Sequence, residues 1–128
     1  MMAVSQQKKV LVVDDEKVLL ELLLSKIKQA GFAAIGARDG DDGLQKALAE
    51  HPDLILLDII MPKMDGITML KKLREDAWGK TAPVIMLSNL NTAEAVEKSL
   101  ENGAYDYLVK VDYSLDDLVA IVKKKLGA

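Results

Sequence analysis

Hydrophobic positions along the chain follow two alternating patterns. Five short apolar runs, Lys8–Val13, Ala33–Ala37, Asp53–Leu57, Pro83–Leu87 and Tyr105–Val109, contain the stretches VLVV, LILL and VIML. Runs this continuous suit strands buried on both faces. The five longer segments that follow them have helical spacing. Glu16–Ala30 carries Leu19, Leu20, Leu23, Leu24 and Ile27, and Asp41–Glu50 carries Leu44, Ala47 and Leu48. Asp65–Asp76 carries Ile67, Leu70 and Leu73; Asn91–Asn102 carries Ala95, Val96 and Leu100; Leu115–Leu126 carries Leu118, Val119 and Val122. Gly31 and Gly103 are the expected stops of the first and fourth helices. Asn91 and Ser114 are the expected N-caps of the last two. Gly43 falls inside the second helix, where glycine costs about 1 kcal/mol relative to alanine; a late helix start is the account the sequence offers.

Strand followed by helix, five times over, predicts an α/β fold: a doubly wound five-stranded parallel sheet with helices on both faces. One domain is expected over residues 1–128, folded from 8 to 126, with 1–7 as a loose tail. In such a sheet the ligand crevice lies at the carboxyl ends of the strands. There the first strand ends in Asp14-Asp15-Glu16, the third in Asp58, the fourth in Ser88-Asn89 and the fifth in Lys110. Acidic residues after a strand also begin helices, where the dipole favours them. Asp58 resists that reading, because Ile59-Ile60-Met61-Pro62 follows it and no helix does. A carboxylate at the tip of a buried strand needs a partner, and Lys110 or a bound cation is available. Converging aspartates with only oxygen ligands suit Mg²⁺, with Mn²⁺ as its substitute. Asp58 is then the candidate nucleophile for an aspartyl phosphate, with Lys110 and the Ser88 hydroxyl holding phosphoryl oxygens.

Composition narrows the chemistry. The 128 residues include no cysteine and one histidine, so thiolate sites, disulfides and multi-histidine zinc sites are excluded. A net charge of −3 argues against direct nucleic-acid binding. No apolar run approaches the roughly 18 residues of a membrane span, and Met1–Lys9 has no signal-peptide core, so a cytoplasmic location is expected.

Four motifs together carry a family resemblance: VLVVDDE at 10–16, LILLDIIMPKMDG at 54–66, PVIMLS at 83–88 and GAYDYLVK at 103–110. The chain resembles the response regulator receiver domains of two-component signalling, similar to the chemotaxis-type single-domain regulators, over roughly residues 8–126. The resemblance implies a flavodoxin-like sheet of order 2-1-3-4-5 with five helices in a three-layer sandwich. It implies Asp58 as phosphoacceptor, with Mg²⁺ on Asp15, Asp58 and the Ile60 backbone carbonyl, and Asp14 binding directly or through water. Lys110 is implied as the phosphate-binding lysine, Ser88 as the switch hydroxyl and Tyr107 as the switch aromatic. Gly66 matches a turn position that needs no side chain. The implied phosphodonor is a sensor histidine kinase or phosphotransfer protein. The implied output is a downstream protein met by the fourth helix, fifth strand and fifth helix, by a monomer or weak dimer. The only catalysis implied is of its own phosphorylation and slow dephosphorylation. If the chain is complete, nothing remains for an output domain and the output is docking through its own surface.

The chain departs from the family pattern at two places. Val111 stands where proline usually follows the lysine, and a cis bond before a non-proline residue costs about 3–4 kcal/mol; a trans or strained peptide is expected. Asn89 stands where a very small residue is usual. By the resemblance, Ile60 and Leu90 occupy the positions that tune phosphoryl lifetime in the family; both are apolar, so slow loss of the phosphoryl group is expected. Tyr107 is otherwise a half-buried strand tyrosine sharing a face with Tyr105. His51 precedes Pro52 at a helix end, Trp78 covers the end of the third helix, and Lys123–Lys125 answer the last helix dipole; no chemical role is expected of them.

Rival functions each lack a residue. A haloacid-dehalogenase-type phosphatase needs a second aspartate where Ile60 stands. A flavin binder needs a hydroxyl- and glycine-rich loop where Asp14-Asp15-Glu16 stands. A receiver-like scaffold without phosphorylation remains the alternative. The fourth helix shows Ala93, Glu94, Glu97, Lys98 and Glu101, a mixed face that fits either solvent or a second copy.

Overall fold

A computed structural model describes residues 7–127. The strands are β1 (Lys9–Val13), β2 (Ala33–Ala37), β3 (Leu54–Leu57), β4 (Val84–Ser88) and β5 (Asp106–Val109). The helices are α1 (Lys17–Gln29), α2 (Gly40–Glu50), α3 (Gly66–Glu75), α4 (Ala93–Glu101) and α5 (Leu115–Leu126), with 3-10 turns at Gly79–Thr81 and Lys110–Asp112. All five strands are parallel, in the order β2-β1-β3-β4-β5, as the resemblance implied.

Alternation within each strand divides the core into two layers. Leu11, Val13, Ile55, Leu57, Val84 and Met86 point toward α2, α3 and α4, where they meet Ala47, Met69, Leu70, Leu73 and Ala95. Val10, Val12, Leu54, Leu56, Ile85 and Leu87 point the other way, onto Leu20, Leu23 and Ile27 of α1 and Leu118, Val119 and Val122 of α5. β1, β3 and β4 are apolar on both faces because both faces are covered, and nearly all of their residues are buried.

Strand register places the site. Val13 of β1 pairs with Leu57 of β3, so Asp14 and Asp58 leave the sheet side by side. Ser88 of β4 pairs with Val109 of β5, so Lys110 emerges next to Ser88.

Several local expectations change. The N-cap of α4 is Thr92, whose hydroxyl accepts from the Ala95 N–H; Asn91 is one residue outside. Ser114 does cap α5, in a reciprocal capping box with Asp117. The late-start account of Gly43 fails, since α2 begins at Gly40. Gly43 instead lets α2 lie close on the sheet: a Cβ there would sit 2.8 and 2.9 Å from the two Val13 methyls. Tyr105 and Tyr107 do not share a face. Tyr105 lies in the bend before β5, where strand alternation has not begun. Its ring lies beneath the Lys125 ammonium of α5, while Tyr107 packs on the α3–α4 layer. Trp78 stacks flat on His51, centroids 4.3 Å apart. The expected loose tail, residues 1–7, lies outside the described residues except for Gln7, whose side chain donates to the Gly31 carbonyl.

Arg74 fastens one side of the molecule. From α3 its guanidinium donates to the carbonyls of Gly79 and Ala82 before β4, and of Asn102 and Gly103 after α4. The Gly79 carbonyl also accepts from the Ala82 N–H of the 3-10 turn, so Arg74 adds a second donor there while tying the two connections together.

Candidate phosphoacceptor site

The site is organised around the Lys110 ammonium. It lies 2.7 Å from Asp14 Oδ2, 2.8 Å from Glu16 Oε1 and 2.9 Å from Asp58 Oδ2. Asp14 and Asp58 are buried, at 2% and 5% exposure. Backbone amides hold their second oxygens: Glu16 N–H donates to Asp14 Oδ1 and Ile59 N–H to Asp58 Oδ1. Every buried side-chain polar atom among the described residues has a partner.

Burial raises the Asp14 carboxyl above the usual range, and the hydrogen bonds from Lys110 and Glu16 N–H only partly offset it. For Lys110 burial pulls the other way, disfavouring the ammonium, but the hydrogen bonds to Asp14, Glu16 and Asp58 outweigh it and the net shift is upward. Lys110 is therefore a fixed positive charge at any ordinary pH. Counted formally, three carboxylates against one ammonium leave −2. An all-oxygen set with that residual charge fits a divalent hard cation.

Oxygens of Asp14, Glu16 and Asp58 all lie within 4.8 Å of one another. Glu16 is the member that sequence reasoning left without a role. Asp15 stands outside this close group but lines the adjoining cavity, with Glu16, Asp58, Ile60, Ser88, Asn89, Leu90 and Lys110. The cavity holds about 220 Å³. Ile60 is 61% exposed at its rim.

Two of these lining residues, Ser88 and Leu90, link the cavity to Tyr107 and the outer surface. Ser88, fully buried, accepts from the Leu90 N–H at 3.3 Å. The Leu90 carbonyl in turn accepts from the Tyr107 hydroxyl. Burial and the nearby negative charge of Asp58 raise the Tyr107 hydroxyl's pKa, so it stays a donor. Leu90 packs partly buried against the α3–α4 layer.

The two departures from the family pattern are bonded to each other. Val111 keeps an N–H that proline would lack, and it donates to Asn89 Oδ1 at 3.1 Å. No cis peptide bond occurs among the described residues. Gly66 closes the loop after Asp58 through its N–H to the Ile59 carbonyl. A Cβ there would lie 2.0 Å from the Asp58 carbonyl oxygen, so close approach, and not a left-handed turn, requires glycine.

Five parallel strands in this order, with acidic residues after β1 and β3 and a lysine after β5, define a receiver-type α/β protein. Comparison with known proteins agrees. The response regulator receiver domain family model matches residues 10–123, and the chain belongs to that family, a phosphoacceptor signalling module. The chain is 42% identical over 103 residues to the alkaline phosphatase synthesis transcriptional regulatory protein PhoP of Bacillus subtilis, covering 80% of this chain and 42% of that protein. Among solved structures, the receiver domain of the Francisella response regulator 1452 is 35% identical, with TM-score 0.82 over 94% of this chain and 97% of that one. A CheY-like receiver domain protein from Methanospirillum hungatei is 29% identical, with TM-score 0.87 over 95% of each chain. The chain spans about half the length of the curated relatives it matches. No helix among the described residues is long and apolar enough to cross a membrane.

Proposed function

We propose that Asp58 accepts a phosphoryl group from the phosphohistidine of a sensor histidine kinase or phosphotransfer protein. The observation that carries this reading is the Asp58 carboxylate, buried at the mouth of a cavity, with one oxygen on a backbone N–H and the other on Lys110. An Asp58 oxygen attacks phosphorus, the phosphorus–nitrogen bond breaks, and its electron pair leaves with the imidazole. Asp14, Asp15, Asp58 and the Ile60 carbonyl would hold Mg²⁺, or Mn²⁺ in its place. When bound, the cation supplies charge neutralisation for the transferring group. Lys110 holds a phosphoryl oxygen as a fixed point charge. The chain's own catalysis is confined to this transfer and a slow hydrolysis.

Output follows from the chain of bonds behind the site. If the Ser88 side chain rotates to bring its hydroxyl onto a phosphoryl oxygen, its oxygen moves off the Leu90 N–H that it now accepts. Movement of Leu90 then removes the carbonyl that holds Tyr107. The surface of α4, β5 and α5 changes for a downstream protein, a two-state element biased by one local charge event.

The test is intact-protein mass after incubation with acetyl phosphate and Mg²⁺. The expected result is a gain of one phosphoryl that is absent in Asp58→Ala. No gain in folded wild-type protein refutes the reading, and continuous release of phosphate points to a turnover enzyme instead.

A further inference from the structure

Lysine has three N–H donors, and three carboxylate oxygens crowd the Lys110 ammonium at 2.7–2.9 Å, Glu16 and Asp58 as hydrogen-bond acceptors and Asp14 as an ion pair. A phosphoryl oxygen on Asp58 cannot be received by Lys110 until one of them is released. Resting on the phosphoacceptor reading, we propose that Glu16 is a positioning residue: it holds one N–H of Lys110 in the resting site and yields it to the phosphoryl group.

Burial identifies the partner that leaves. The Asp14 and Asp58 side chains are 3% and 6% exposed, so neither can exchange Lys110 for water without a large desolvation cost. The Glu16 side chain is 57% exposed and is readily hydrated once free. Its position supports the same role. Glu16 is the N-cap residue of α1, yet its side chain caps nothing. Its carboxylate instead reaches a lysine 94 residues further along the chain. Incoming phosphoryl oxygens add negative charge beside it and favour its departure.

With an acyl phosphate as donor, an Asp58 oxygen forms the new bond to phosphorus. The donor's phosphorus–oxygen bond breaks, and its electron pair leaves on the free carboxylate. No proton is consumed. Lys110 changes one acceptor, from Glu16 to a phosphoryl oxygen.

The experiment compares wild-type protein with Glu16→Gln, which keeps length and loses charge, and Glu16→Asp, which keeps charge and loses reach. Initial rates of phosphoryl gain are read by intact mass with acetyl phosphate, at a series of Mg²⁺ concentrations. The side-chain ¹⁵N signal of the Lys110 ammonium is read without phosphodonor. Both variants are expected to react about two- to fivefold faster, the range of competition that an exposed ion pair supplies. Half-saturating Mg²⁺ is expected to stay within about twofold of wild type over that same small energy range, while the Lys110 signal shifts in both. A rate at least tenfold lower with weakened Mg²⁺ binding would make Glu16 a metal ligand and overturn the proposal. So would a Glu16→Asp protein that behaves as wild type, since charge alone would then be responsible. Unchanged rates and an unchanged Lys110 signal in both variants also overturn it. Wild-type protein that gains no phosphoryl refutes the phosphoacceptor reading itself, and this release step with it.

Discussion

Replacing Lys110 by methionine tests the electrostatics of the site directly. The substitution keeps most of the side-chain volume and removes the cation that Asp14, Glu16 and Asp58 share. Glu16 is exposed and rehydrates. Asp14 and Asp58 are buried and do not. Removing one partner of a buried ion pair costs about 3–5 kcal/mol, a large part of the roughly 5–15 kcal/mol that holds a domain together. For a chain of this size that corresponds to a fall in Tm of about 10–20 °C. Two dependences follow. Asp14 already has a raised carboxyl pKa, and losing Lys110 removes two of the influences that lower it. A carboxyl raised in the folded state destabilises above its unfolded value, so the Lys110→Met protein should recover stability as pH falls from 7 toward 5. Mg²⁺ should also raise Tm more in Lys110→Met than in wild type, because in the variant it is the sole counterion; a cation at 100 times its Kd stabilises by about 2.7 kcal/mol. Thermal unfolding of both proteins at pH 5 and 7, with and without Mg²⁺, supplies both comparisons. A loss below about 1 kcal/mol, typical of exposed pairs, would refute the burial argument. A Mg²⁺ response no larger than wild type would refute the charge count.

Other expectations follow from single contacts. Arg74→Met removes the guanidinium shared by the carbonyls of Gly79, Ala82, Asn102 and Gly103, of which Gly79 keeps the Ala82 N–H; urea unfolding should show a loss of about 2–4 kcal/mol, with Arg74→Lys intermediate because one ammonium cannot span all four. Gly66→Ala forces a Cβ onto the Asp58 carbonyl; a loss of about 2 kcal/mol or more should accompany slower phosphoryl gain, and unchanged behaviour in both assays would show that the loop yields freely. The hydrogen bond from Ser114 N–H holds the Asp117 carboxyl below its usual range. A folded value below the unfolded one contributes stability above about pH 4 that is lost on acidification, so Tm of Asp117→Asn should fall less steeply than wild type below that pH. Ile60→Asn should shorten the lifetime of the phosphorylated protein by placing a polar group at the cavity rim; an already short lifetime that the substitution leaves unchanged would refute an apolar screen against water.

The sequence by itself determined the elements and the chemistry of the strand ends. Runs such as VLVV and LILL suit strands covered on both faces, and helical spacing between them supplies the crossovers of a parallel sheet. Asp58 was legible because a carboxylate that follows a buried strand, with no helix to cap, must find a cationic partner. Tertiary structure decided which groups meet. That Asp14 and Asp58 share one lysine follows from the Val13–Leu57 register and from where β5 ends, which no local pattern records. The same holds for Glu16, whose partner lies just past the end of the far strand, and for Gly43 and Gly66, whose missing side chains make sense only beside the Val13 methyls and the Asp58 carbonyl. Asn89 and Val111 read separately are two departures from a pattern; folded, they are acceptor and donor of one bond. The physical reason is common to all of these. Periodicity fixes which side of an element is buried, but contacts across the sheet depend on register and loop path, which are set by the packing of the whole core.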